Sequence, residues 1–165
     1  MDPVSNSTSI LLTSLAGTRL GFSALAVREI VRSVAIAPFP GAPAIIEGAV
    51  NLHGRIVPVV NVRHRLDLPA LPNSPDQFLV VLETSDRYIA IRVDDIDEVV
   101  DIETPAADQR GELSPVLRHL AGVAATSDGA LVIYDAAAFV TQAEREAMDV
   151  AAKDAAMDVA ENVTG

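Results

Sequence analysis

Few residues in this chain of 165 could do chemistry, and their spacing excludes most reactions. The histidines are His53, His64 and His119, and the gap between the first two matches no familiar metal-ligand spacing. With no cysteine there is no thiolate nucleophile, disulfide, iron–sulfur cluster or cysteine zinc site. Asp94, Asp95, Asp97, Glu98, Asp101 and Glu103 supply the oxygens a hard cation wants. An EF-hand would need Asp-x-Asp-x-Asp-Gly, however, so the run reads first as a solvated acidic edge. A divalent-metal hydrolase using that segment is the remote alternative. The chain lacks a Gly-x-x-x-x-Gly-Lys phosphate loop, a Gly-x-Ser-x-Gly elbow, a His-Glu-x-x-His pair and a Rossmann glycine triplet. No catalytic residue, cofactor or metal site is assigned, and the expectation is a protein that is not an enzyme.

What remains is a binding signal. Val50-Asn51-Leu52-His53-Gly54-Arg55 places polar and basic side chains at a hairpin tip beside the apolar run Ile56–Val60, and Arg63-His64-Arg65 follows closely. Arginines so placed can form bidentate contacts with a partner's carboxylates.

The elements that must position this tip are strands. Leu11–Leu15 and Leu20–Leu25 flank an Ala16–Arg19 turn, and Phe78–Leu82 and Tyr88–Val93 flank Glu83–Arg87. Gly48–Val60 is a third hairpin, with Gly54 supplying a positive φ, and Gly122–Ala124 with Ala130–Tyr134 around Ser127-Asp128-Gly129 is a fourth. Pro58 cannot donate to a ladder, so it marks an edge or a bulge.

The hairpins repeat in order. Val27-Arg28-Glu29-Ile30-Val31 follows the first and Ile96-Asp97-Glu98-Val99-Val100 the second; each leads through a proline-containing connection, Ala35–Pro43 or Thr104–Pro115, to a glycine-initiated hairpin. The simplest organisation is a mainly β fold of two barrel-like halves, roughly 10–75 and 76–140, joined at Pro69–Pro75, since closure removes exposed strand edges. Residues 1–9 are expected to be a flexible N-terminus and 141–165 a C-terminal helix and tail. Thr141-Gln142-Ala143-Glu144 is a capping box, and Met148, Ala152, Ala155 and Val159 form a stripe at helical spacing.

Composition narrows the class of partner. Half the residues are hydrophobic, and the net charge is −11. Residues 1–75 carry six arginines against four carboxylates, whereas the remainder carries six cations against nineteen carboxylates. That split suggests two different surfaces. An acidic chain with 4% aromatics and no Trp lacks both the cations and the stacking platforms that nucleic acid requires. Asp2 replaces the basic start of a secretory signal, and no apolar run reaches the length of about 18 residues needed to cross a bilayer. The expected localisation is cytoplasmic, without direct membrane insertion.

At the third hairpin the sequence resembles the CheW family of adaptor proteins in bacterial chemosensory arrays, and the likeness extends over about residues 10–140. The family reads roughly Gly-Val-x-Asn-Leu-Arg-Gly-x-Ile-Val-Pro-Val-x-Asp-Leu-Arg; here the stretch stands as Gly48-Ala49-Val50-Asn51-Leu52-His53-Gly54-Arg55-Ile56-Val57-Pro58-Val59-Val60-Asn61-Val62-Arg63. Val27–Val31, Pro38-Phe39-Pro40 and Ile91–Ile96 match in the same order. The resemblance implies two SH3-like five-stranded β-barrel subdomains with a C-terminal α-helix. It also implies a non-catalytic adaptor that bridges methyl-accepting chemoreceptor cytoplasmic tips to the regulatory domain of a CheA-type histidine kinase, at membrane-associated receptor arrays. The oligomeric state is not legible in the sequence, and open barrel ends that bind a homologous domain leave self-association in rings or weak dimers open. By the same resemblance the receptor-contact residues are Val27, Glu29, Gly48, Asn51, His53 and Gly54, to which the neighbouring Arg55 is added from its own charge, while the kinase contacts stay unassigned. An adaptor of a non-flagellar pathway, serving pili, surface motility or gene regulation, is the alternative. His53 stands where the family has Arg and Asn61 where it has Asp, which exchanges a permanent charge for a ring largely neutral near pH 7; Arg55 is then the expected source of positive charge.

Overall fold

The computed structural model describes residues 7–85, 87–103, 120–126, 129–134 and 139–164. Ten strands dominate it: β1 (Ser7–Leu15), β2 (Thr18–Ser23), β3 (Val27–Arg32), β4 (Ile46–Leu52), β5 (Arg55–Val60), β6 (Phe78–Glu83), β7 (Tyr88–Val93), β8 (Asp95–Glu103), β9 (Leu120–Thr126) and β10 (Gly129–Tyr134). Two helices complete it, a single-turn α1 (Val62–Arg65) and α2 (Gln142–Thr164). All four expected hairpins form antiparallel pairs. The Ser127-Asp128 part of the last turn, the Thr104–Pro115 connection and His119 lie outside the described residues.

Two five-stranded sheets result, ordered β8-β1-β2-β10-β9 and β3-β6-β7-β5-β4. The strand count and the C-terminal helix agree with expectation. The partition at residue 75 does not, because each sheet draws strands from both sides of it. Matched by position, the orders are identical: the hairpins β1–β2 and β6–β7 lie at the same places, as do β8 and β3, β10 and β5, and β9 and β4. The repeat is real, but its strands are exchanged. After the first hairpin the chain leaves through a 3-10 turn at Ala24–Ala26 and builds β3, β4 and β5 around the second hairpin, whereas β8, β9 and β10 return to the first. Parallel pairs close both exchanges, β2 with β10 and β5 with β7. Similar repeats offer similar edges, so local pattern cannot say which hairpin a strand will join.

The second sheet curls on itself. Ala37, beyond the end of β3, exchanges two backbone hydrogen bonds of 2.9 and 2.8 Å with Ala49 of β4, so the two ends of the sheet meet. Those bonds turn both polar groups of Ala49 away from β5 and make the Ala49–Pro58 couple a non-hydrogen-bonded pair. Pro58 thus sits in an internal strand, not at an edge; its missing N–H faces β7, where pairing begins only at Val59.

β6 and β7 are apolar over Phe78–Leu82 and Tyr88–Ile91 because both of their faces are buried, and Arg92 is a buried charge near the end of β7. One face joins Val50, Val57 and Val59 inside the second sheet. The other meets Leu11, Leu15, Leu20 and Phe22 of the first sheet in a core that spans both. Each fully buried Leu or Ile contributes roughly 1.5–3 kcal/mol, so this shared core fixes the sheets against each other.

Of the expected N-terminal segment, Ser7–Ser9 begin β1 and pair with Asp101–Glu103, and residues 1–6 lie outside the described residues. The Pro69–Pro75 linker joins α1 to β6 within one sheet and is pinned by Arg63 Nη1 donating to Pro69 O at 3.0 Å and Asn73 Nδ2 to Val34 O at 2.8 Å. The capping box of α2 forms reciprocally, with Glu144 N donating to Thr141 Oγ1 at 3.1 Å and Thr141 N to Glu144 Oε1 at 2.8 Å. Its buried face runs through Met148 and Ala151, while Ala152 of the expected stripe is exposed. The side chains of Ala155 and Val159 lie outside the described residues. Among the described residues no helix is long and apolar enough to cross a membrane.

Candidate functional site

The β4–β5 hairpin turns on two residues, His53 at φ 55° and Gly54 at φ 83°, the backbone of a tight primed turn. Asn51 stabilises it by accepting from Gly54 N through Oδ1 at 3.0 Å. Asn51, His53, Gly54 and Arg55 are exposed. Glu29 arrives from β3, at the opposite end of the sheet order, and its Oε1 lies 2.8 Å from His53 Nε2. The curl that closes Ala37 on Ala49 brings these two residues together. Their hydrogen bond and then the Glu29 charge raise the His53 pKa above its ordinary value, against a small opposing effect of burial. The tip is therefore a His–carboxylate pair that keeps its proton to higher pH than an ordinary histidine.

The other expected contact residues are placed differently. Val27 is half-buried at the start of β3 and packs on the shared core. Gly48 is buried beneath the Ile36–Ala37 backbone: a Cβ there would lie 2.3 Å from Ala37 O and 2.7 Å from Ile36 Cγ2. It is required for the approach that curls the sheet and cannot touch a partner through a side chain. Arg55 points away from the Glu29–His53 pair and lies over the Tyr88 ring, 4.3 Å from its centroid.

Arg63 and Arg65, which follow the hairpin in sequence, face inward. Arg63 is buried and pairs with Asp94, and Arg65 binds Glu144 of α2 through both carboxylate oxygens. Asp94 also accepts from Gln77 Nε2 at 2.9 Å and from Ala16 N at 2.9 Å, and Gln77 Oε1 accepts from Arg92 Nη1 at 2.9 Å. Arg92 pairs with Glu47, so a chain of polar groups links both sheets and the linker. Burial works to raise the Asp94 and Glu144 pKa values. Hydrogen bonds from the arginines and from nearby amides, with the Thr141 hydroxyl as a further donor to Glu144, outweigh it and hold both below the usual carboxylate value. Asn61 caps α1 by accepting from His64 N at 3.1 Å, a task that Asn and Asp perform alike. These arginines were misplaced by sequence because exposure was inferred from neighbouring residues; the only available hint was the acidic run that supplies Asp94.

That run lies on β8, an end strand. Asp101 accepts from Ser9 Oγ at 2.6 Å and Asp97 from Ser14 Oγ at 2.9 Å, so its carboxylates serve the β1 border. Among the described residues no group of three or more His, Asp and Glu side chains is placed to hold a metal ion.

The hairpin and its frame coincide with a family pattern. Residues 9–144 match the family model of the CheW-like domain. The chain belongs to the CheW family. Among curated relatives it is 34% identical over 105 residues to the chemotaxis protein CheW of Treponema pallidum, covering 58% of this chain and 62% of that one. Against the chemotaxis protein CheW of Klebsiella aerogenes it is 24% identical, with 87% of each chain covered. Among solved structures it is similar to the scaffolding protein TtCheW of Thermoanaerobacter tengcongensis, with a TM-score of 0.66 and 28% identity over 78% of this chain and 88% of that one. The two β subdomains of the CheW fold correspond to the two five-stranded sheets.

Proposed function

We propose that this CheW-family chain is a non-enzymatic adaptor that couples chemoreceptor cytoplasmic tips to the regulatory domain of a CheA-type histidine kinase, in the cytoplasm at membrane-associated receptor arrays. The family match over residues 9–144 carries this reading. The receptor surface is the hairpin tip, Asn51, His53 and Gly54, with Glu29 and Val27 of β3 beside it and Arg55 at its margin. Gly48 acts from beneath, by letting the backbone close under the tip. Coupling then needs only different affinities for the two receptor states. The family's Arg is replaced here by His53 held on Glu29, so the tip offers a pH-dependent donor in place of a permanent one.

The test is an isothermal titration of the full chain against the isolated kinase regulatory domain and, separately, against a receptor cytoplasmic fragment from the same organism. Saturable one-to-one binding to both, with Glu29→Lys weakening only the receptor, is expected. No heat with either at about 100 μM would remove the adaptor reading and leave a CheW-fold module with other partners.

A further inference from the structure

A pocket of about 330 Å³ opens beside the hairpin, between β5, the start of β7 and α2. Its origin is Pro58. β5 and β7 pair only at Val59–Ala90 and Val60–Ile91, and upstream of that point the strands leave a fork that α2 roofs. The roof is anchored by buried Met148 and by Arg87 Nη2 at 3.1 Å from Asp149 Oδ1. Its lining is mixed: Phe39, Ile56, Pro58, Tyr88 and Met148 give it an apolar part, and Arg55 and the Arg87–Asp149 pair stand on it as well. Ile56 at its mouth is 62% exposed, a large apolar surface left in water. At the rim the Arg55 guanidinium lies over the Tyr88 ring, 4.3 Å from its centroid, and Asp149, the carboxylate on the lining, is taken up by Arg87. In a chain of net charge −11, two arginines against one carboxylate on this lining are a local reversal of sign. Contact with the ring face restrains the guanidinium and leaves its N–H donors for a carboxylate.

We propose that this pocket is a docking site for an acidic amphipathic segment of a partner protein, which inserts an apolar side chain between Phe39, Tyr88 and Met148 and sets a carboxylate on Arg55. It adjoins the receptor surface at Arg55, but its centre, Phe39, Tyr88 and Met148, lies apart from the Glu29–His53 pair, which does not line it. The site does not depend on the identity of the kinase or receptor, so it can fail while the adaptor function stands, and the reverse.

The experiment is fluorescence anisotropy of a fluorescein-labelled peptide of Glu and Leu at helical spacing, titrated with the full chain, beside the same peptide with Lys for Glu. Saturable binding of the Glu–Leu peptide alone is expected, weakened about tenfold or more in Arg55→Glu and in Ile56→Asp at unchanged urea midpoints. Amide shifts in a nuclear magnetic resonance titration should centre on Tyr88, Ile56 and Met148. Equal binding by the variants, equal binding of the Lys peptide, or no binding at millimolar concentration overturns the proposal. So does a self-association of the chain that Arg55→Glu abolishes, since the occupant would then be a second copy.

Discussion

At the scale of single residues, the same chemical type does opposite work according to which way the backbone turns it. His53 is 78% exposed and Arg63 is buried, although ten positions apart in one motif. The His53 ring should titrate above about 6.5, and Glu29→Gln should return it to that value, read from ring chemical shifts against pH. The sign follows from the raised pKa: the clasp contributes fully below the unfolded value of about 6.5 and is lost as pH rises through the folded value. Receptor affinity that depends on the protonated clasp would fall over the same interval. For Arg63, replacement by Met leaves Asp94 partly buried without its guanidinium and Pro69 O without its donor. A loss of roughly 3 kcal/mol in urea unfolding is expected, because removing one partner strands the other charge.

At the scale of elements, β4 shows how a contact motif and a folding motif share residues. Gly48 was legible as a motif position, but its work is to admit the Ala37 carbonyl where any Cβ would collide. Gly48→Ala should therefore cost about 1–3 kcal/mol in urea unfolding, with any receptor-binding defect following from altered hairpin geometry. A stability equal to the wild type would show that the sheet end can relax. The α2 capping box was legible because it is written in four consecutive residues, Thr141 to Glu144. The buried stripe was read one position off at Ala152, because the helix turns Ala151 toward Gly41, 3.6 Å from where a Cβ there would sit, and periodicity alone does not set that rotation.

At the scale of the whole molecule, the sheets are joined by one shared core and by the polar chain that runs from Glu47 through Arg92 and Gln77 to Asp94, which binds Arg63 and accepts from Ala16 N in the β1–β2 turn of the other sheet. Asp94 and Glu144 both titrate below the usual carboxylate value, so each contributes stability present above about pH 4 and lost as pH falls through its folded pKa. Urea midpoints should thus drop as pH is lowered from 5 toward 3, with a smaller drop in an Arg65→Met variant, whose Glu144 has lost its main partner. A drop of the same size in that variant would assign the acid sensitivity elsewhere.

The sequence by itself determined the strands, the four hairpins, their ordered repeat, the helix cap and the family-length pattern around Asn51–Gly54, because each is written in residues a few positions apart. Tertiary structure alone decided that the repeats exchange strands, that Glu29 meets His53, that Arg63 and Arg65 turn inward, and that β5, β7 and α2 enclose a pocket. Those outcomes depend on which of several equivalent edges pair across long stretches of chain, and that choice is made by the burial of the shared core, not by any local preference.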